Sequence, residues 1–147
     1  MSKFEAEELF ATGTESLKNG DINAALDSLE KAVLLDRNPL YCSILAICLA
    51  KEKRDFKKAV SLCNEAIKKD PKNSLHFLNL GRIHLMANQK RDAIRIFNMG
   101  LRYGENRDII AELRRFDMRR SPLIPFLGRG NAVNRVLGKL TYKLGFR

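Results

Sequence analysis

Tryptophan is absent and tyrosine occurs only three times. The basic residues are not interleaved with aromatics for base stacking, and nucleic acid is not a favoured partner. Four prolines in 147 residues leave room for long helices. The three cysteines, Cys42, Cys48 and Cys63, form an odd set without disulfide-like or CxxC spacing, and a reducing cytoplasm is the simplest setting. The two histidines, His76 and His84, stand eight residues apart, too far along one helix for a metal pair. No stretch approaches about 18 uninterrupted apolar residues, so no membrane-spanning helix is expected. The N-terminus has no apolar run behind a positive cluster and does not read as a secretory signal. A GxxxxGK loop and a GxGxxG turn are both missing, and no Ser/His/Asp or Cys/His set can be assembled from spacing. The expectation is a non-enzyme without cofactor or metal.

What is present is an ordinary globular mix, 45% hydrophobic and 30% charged, with a net charge of +10. The excess is uneven. Residues 1–106 carry 17 Lys and Arg against 14 Asp and Glu; residues 107–147 carry 10 against 3, a net of +7. A basic tail of this kind attracts acidic proteins, anionic lipid heads or phosphates.

The strongest signal is internal repetition. Ala25, Ala59 and Ala93 recur every 34 residues, as do Ala32, Ala66 and Gly100, Leu29, Cys63 and Phe97, and Gly13, Ile47 and Gly81. Small residues at fixed offsets let two antiparallel helices approach, and the larger residue between them fills the wedge. Asp70-Pro71-Lys72-Asn73 ends one helix and starts the next. In period and columns the chain resembles the tetratricopeptide-repeat (TPR) family over about Ala6 to Arg107. Departures from the family pattern are Arg37 and Glu105 in proline slots, Ile47 in a glycine slot and His84 in a tyrosine slot. The resemblance implies an all-α superhelix of three helix-turn-helix repeats, a capping helix and a basic tail helix. It also implies a protein-binding adaptor or co-chaperone-like scaffold.

Helices are expected over about 3–18, 22–35, 39–51, 56–69, 74–87 and 90–103, with Ser2-x-x-Glu5 as a capping box and Gly104 as the last stop. A seventh, about 108–118, carries Ile109, Ile110, Leu113 and Phe116 on one side and reads as the cap of the stack. Residues 1–118 are then one domain and 119–147 a proline-containing basic extension. Within that extension Ser121 to Gly130 is apolar, Pro-bounded and extended. A helical stripe follows, made of Val133, Val136, Leu137, Leu140 and Leu144, with Arg135, Lys139, Lys143 and Arg147 along its other side. Three uses stay open for it: packing back on the repeats, lying on an anionic membrane surface, or docking another protein, a second copy included.

In TPR stacks the first helix of each repeat lines a concave groove. The resemblance places Glu7, Phe10, Thr14 and Leu17 there from the first repeat. The second supplies Tyr41, Ile44, Cys48 and Lys51, and the third Leu75, Leu78, Arg82 and Leu85. Carboxylate-clamp TPRs use Lys and Asn at such places; Phe10, Thr14, Ile44 and Cys48 replace them here. The groove therefore reads as apolar, fit for an extended peptide or helix with bulky side chains, with Phe10 and Tyr41 as anchors. The segment Pro122 to Phe126 has matching chemistry and is a candidate ligand for its own groove, or for a neighbour's groove in a dimer.

Overall fold

The structure, a computed structural model, describes residues 2–119. The described residues form seven α-helices: α1 Ser2–Lys18, α2 Ile22–Leu35, α3 Pro39–Cys48, α4 Phe56–Lys69, α5 Ser74–Met86, α6 Lys90–Leu101 and α7 Arg107–Arg119. A π-helical turn, Leu49–Lys53, continues α3. Residues 1–110 form one compact unit, and α7 from Ala111 onward belongs to a second. The extension beyond Arg119, including the expected tail helix, lies outside the described residues.

Local chemistry sets the helix ends. Each repeat turns on one left-handed residue: Gly20 (φ 81°), Arg54 (φ 51°) and Asn88 (φ 62°), again 34 apart. Glycine adopts that region without cost, asparagine tolerates it, and arginine is strained there. One residue later, Asp21 caps α2 by accepting from the Ala24 amide at 3.0 Å, and Asp55 caps α4 from the Lys58 amide at 3.1 Å. Gln89, in the same column, makes no such bond to α6; its Oε1 lies 2.6 Å from His84 Nδ1. Between repeats, Asn38 and Asn73 accept from the Leu40 and Leu75 amides, and Asn106 accepts from the Asp108 and Ile109 amides. The expected Ser2–Glu5 box is not formed as such, because Ser2 already lies inside α1.

The core explains the small-residue columns. A Cβ added to Gly13 would meet Leu29 Cγ at 2.7 Å, and one added to Gly81 would meet Phe97 Cε1 at 2.2 Å. At Gly100 it would meet Phe77 Cβ at 2.7 Å and Ile109 Cδ1 at 2.8 Å, so the first turn of α7 closes on the third repeat. The second repeat reverses the sizes. Ile47 stands in the glycine column, and Cys63, fully buried, stands where the other repeats place Leu29 and Phe97. A large residue in the glycine column thus goes with a small one in the wedge column, as close packing favours.

Arg37, in the slot where the family has proline, has its own role. Its guanidinium grips Glu65 of α4 in a two-point bridge, Nε donating at 2.8 Å and Nη2 at 2.6 Å. Lys69 donates to Glu65 and to the Arg37 carbonyl, both at 3.1 Å. This network locks the end of the first repeat to the second. Arg37 holds the Glu65 carboxyl down at about 2. A buried hydrogen bond, Asn79 Nδ2 to Ser43 Oγ at 2.9 Å, ties α5 to α3. His76 is fully buried, with Nε2 3.2 Å from Asp70 Oδ2.

Candidate functional site

The first helices of the repeats, α1, α3 and α5, place the candidate residues on one recurrent column set. From the first repeat, Phe10, Thr14 and Leu17 are half-buried, and Glu7 is exposed. From the third, Leu75, Arg82 and Leu85 are half-buried. Ile44 is half-buried and Lys51, on the π turn, is exposed.

Three of the expected groove residues are instead buried. Cys48 is 0% exposed, Leu78 is 1% and Tyr41 is 6%. Cys48 sits where α3 passes into the π turn, within a run of three buried residues that includes Leu49 and Ala50. Burial pushes its thiol up to about 11, so it stays protonated near neutral pH. Cys63, in the wedge column, is pushed to about 12 by the same cause.

The half-buried Phe10 and the buried Tyr41 are brought together across repeats. The Phe10 and Tyr41 rings stack with centroids 4.4 Å apart at 21°. The pair joins α1 to α3 across two columns assigned to the groove. The Tyr41 hydroxyl is pushed above the usual phenol range, first by burial and then by the nearby carboxylates of Glu7 and Asp36. Asp36, in the turn after α2, was not among the residues expected there. Its sequence signal was only its place beside Arg37.

Two members of the basic run Lys51, Lys53, Arg54, Lys57 and Lys58 are engaged. Lys53 Nζ reaches Glu30 Oε1 at 3.5 Å, and the Arg54 guanidinium lies over the Phe56 ring, 5.0 Å from its centroid. Among the described residues no three His, Cys, Asp or Glu side chains converge as metal ligands. No helix there is long and apolar enough to cross a membrane.

The tetratricopeptide-repeat family profile matches residues 50–115. Solved TPR domains superpose over most of the chain. The Arabidopsis OM64 TPR domain does so at a TM-score of 0.71, with 20% identity, covering 82% of this chain and 100% of that one. This is a TPR fold. The TPR2B domain of yeast Sti1, in complex with pHsp70, gives 0.68 at 20% identity, covering 80% of this chain and 99% of that one. The second TPR domain of human RPAP3, in complex with the HSP70 peptide SGPTIEEVD, gives 0.67 at 20% identity, covering 78% and 97%. No curated protein sequence matches the chain. The three TPR repeats are α1–α2, α3–α4 and α5–α6, with α7 beginning as the seventh helix expected after them.

Proposed function

We propose that the chain is a non-catalytic protein-interaction module of the cytoplasm, an adaptor or co-chaperone-like scaffold, which takes an apolar peptide or helix along α1, α3 and α5. The observation that carries this reading is the Phe10–Tyr41 stack, flanked on the same columns by the half-buried side chains of Ile44 and Leu75. Partly covered apolar groups on a rigid helical face supply anchors at low ordering cost. Peptide complexes of TPR domains with this fold support it. The polar residues of a carboxylate clamp are replaced by Phe10, Thr14, Ile44 and Cys48, so an apolar side chain rather than a terminal carboxylate is the expected anchor.

Calorimetric titration tests this with a capped peptide of the apolar run of residues 122–127. Leu75→Glu should weaken binding at least about tenfold while the helical circular dichroism is unchanged. Equal affinity of the variant would remove the groove from the binding surface. A second reading, a peripheral membrane or assembly factor, is favoured by the net +7 of residues 107–147. Salt separates the two, because apolar binding persists at high salt while attraction to an anionic surface fades.

A further inference from the structure

The second helix of each repeat turns one stripe of side chains outward, and that stripe changes character along the chain. In α2 it holds Asn23, Asp27, Lys31 and Leu34, with Lys31 and Asp27 paired at 2.7 Å. In the third repeat the same columns hold Arg91, Arg95, Met99 and Arg102, all exposed. The core does not demand the difference, because Ala25, Leu29 and Ala32 are buried in α2 just as Ala93, Phe97 and Gly100 are in α6. At about 100° per residue, Arg91, Arg95 and Arg102 fall within about 40° of one another, and Met99 and Tyr103 lie along one flank. Met99 is 40% exposed and Tyr103 47%. The Tyr103 ring is held in place by stacking on Phe77, with centroids 5.5 Å apart. Arg95 pairs with Asp92 at 2.9 Å, whereas Arg91 and Arg102 have no ion-pair partner among the described residues. Residues 90–103 hold four Lys and Arg against one Asp. A row of cations and an exposed apolar flank therefore share one face.

We propose that this face of α6 and the turn after it is a contact surface for an anionic lipid bilayer, Arg91 and Arg102 meeting headgroup phosphates while Met99 enters the boundary beneath them. The chemistry is complementary at each point. A guanidinium donates two N–H groups to one phosphate, and its apolar stem lies along the surface while the charge stays at headgroup level. Met99 adds apolar burial, and Tyr103 offers a ring with a polar tip, the type of side chain that settles at a membrane interface. The row is straight: Arg91 and Arg102 stand about 16 Å apart along the helix axis, so both reach one plane. Single-stranded nucleic acid fits less well, because the only ring on this face is already stacked on Phe77. This inference rests on the second reading above, the peripheral membrane factor, and gives it a named surface within the repeats besides the charge of residues 107–147.

The test is co-sedimentation of the full chain with vesicles of phosphatidylcholine alone and of phosphatidylcholine with phosphatidylserine, with duplex RNA binding measured beside it. The parent should pellet with the anionic vesicles only, and less so as salt rises. Arg91→Gln/Arg102→Gln, at exposed positions, should lower the partition coefficient about ten- to thirtyfold with an unchanged helical circular dichroism. Lys3→Gln/Lys18→Gln removes the same two charges from the first repeat and should leave it within about twofold. Met99→Trp should raise it at least about twofold, because Trp favours the interface. Partition unchanged in the Arg91/Arg102 variant, or lowered equally in the Lys3/Lys18 variant, would overturn the surface assignment and leave the membrane reading to the charge of residues 107–147. Binding to duplex RNA without binding to vesicles would overturn the lipid assignment in favour of a nucleic acid. No pelleting of the parent with either vesicle would overturn the membrane reading, and this inference with it.

Discussion

Gly81→Ala sets two opposed effects against each other. In a helix interior, alanine is favoured over glycine by about 1 kcal/mol, so on backbone grounds alone the protein should gain stability. The packing says otherwise. The new methyl carbon would lie 2.2, 2.5 and 2.8 Å from Phe97 Cε1, Cδ1 and Cζ. Carbon contacts settle near about 3.5–4.0 Å, so the ring has to retreat by more than about 1 Å. Phe97 is 0% exposed, in an interior that close packing leaves little room to shift. Overpacking of this kind costs about 1–3 kcal/mol, and contact with three ring atoms places it at the upper end. The net expectation is destabilisation by about 2 kcal/mol, a fall in Tm of roughly 8 °C for a domain of this size. Thermal and urea unfolding followed by circular dichroism would measure it. The second repeat supplies the control, because it carries Ile47 in the glycine column together with Cys63 in the wedge column. Phe97→Cys introduced on top of Gly81→Ile should therefore recover stability relative to Gly81→Ile, with a coupling well above the roughly 0.5 kcal/mol expected of independent sites. A Gly81→Ala protein more stable than the parent, or an additive cycle, would refute the size-exchange account.

Other perturbations follow from the same structure. Arg54→Gly relieves a left-handed backbone and should stabilise by about 0.5–1 kcal/mol, net of the lost contact with Phe56, in urea denaturation. Gln89→Asp adds the cap that α2 and α4 already have, worth about 1 kcal/mol, less its bond to His84, and would be read as a rise in Tm. Glu65→Gln breaks the bridge to Arg37 and should cost about 1 kcal/mol at neutral pH, discounted for the exposure of Arg37. The folded carboxyl of Glu65 is depressed to about 2. Its stabilisation is thus full above the unfolded value near 4.3 and is lost as pH falls from there towards about 2. The parent-minus-variant difference in stability should shrink across that window and be flat above it.

Much of the fold was legible because repetition reports on itself. The 34-residue columns carry the contacts that bring helices together, and Asp21, Asp55, Asn38 and Asn73 mark helix starts by supplying the acceptor that unpaired amides need. The boundaries of α2 and α4 fall on the expected residues, while α3 does not end as expected. Periodicity fixes which side chains face the core, but it does not register an extra residue taken up in a wider turn, and the π turn places Cys48, Leu49 and Ala50 all inside. Tyr41, which column position put in the groove, is covered by the Phe10 ring stacked on it, and Leu78 is buried within α5. Arg37 was visible only as a missing proline, since its partner Glu65 is 28 residues away and no local rule links them. The Phe10–Tyr41 contact was legible as two residues of one column set, but the stacking of one ring on the other required the structure.

The central claim is that α1, α3 and α5 form the binding face. Amide and methyl NMR spectra recorded during titration with the apolar peptide test it most directly. Shift changes should concentrate at Phe10, Ile44, Leu75 and Leu85, with the outer positions Asp27, Lys31 and Lys68 unmoved. Changes centred on those outer positions, or spread evenly over the repeats, would contradict the account.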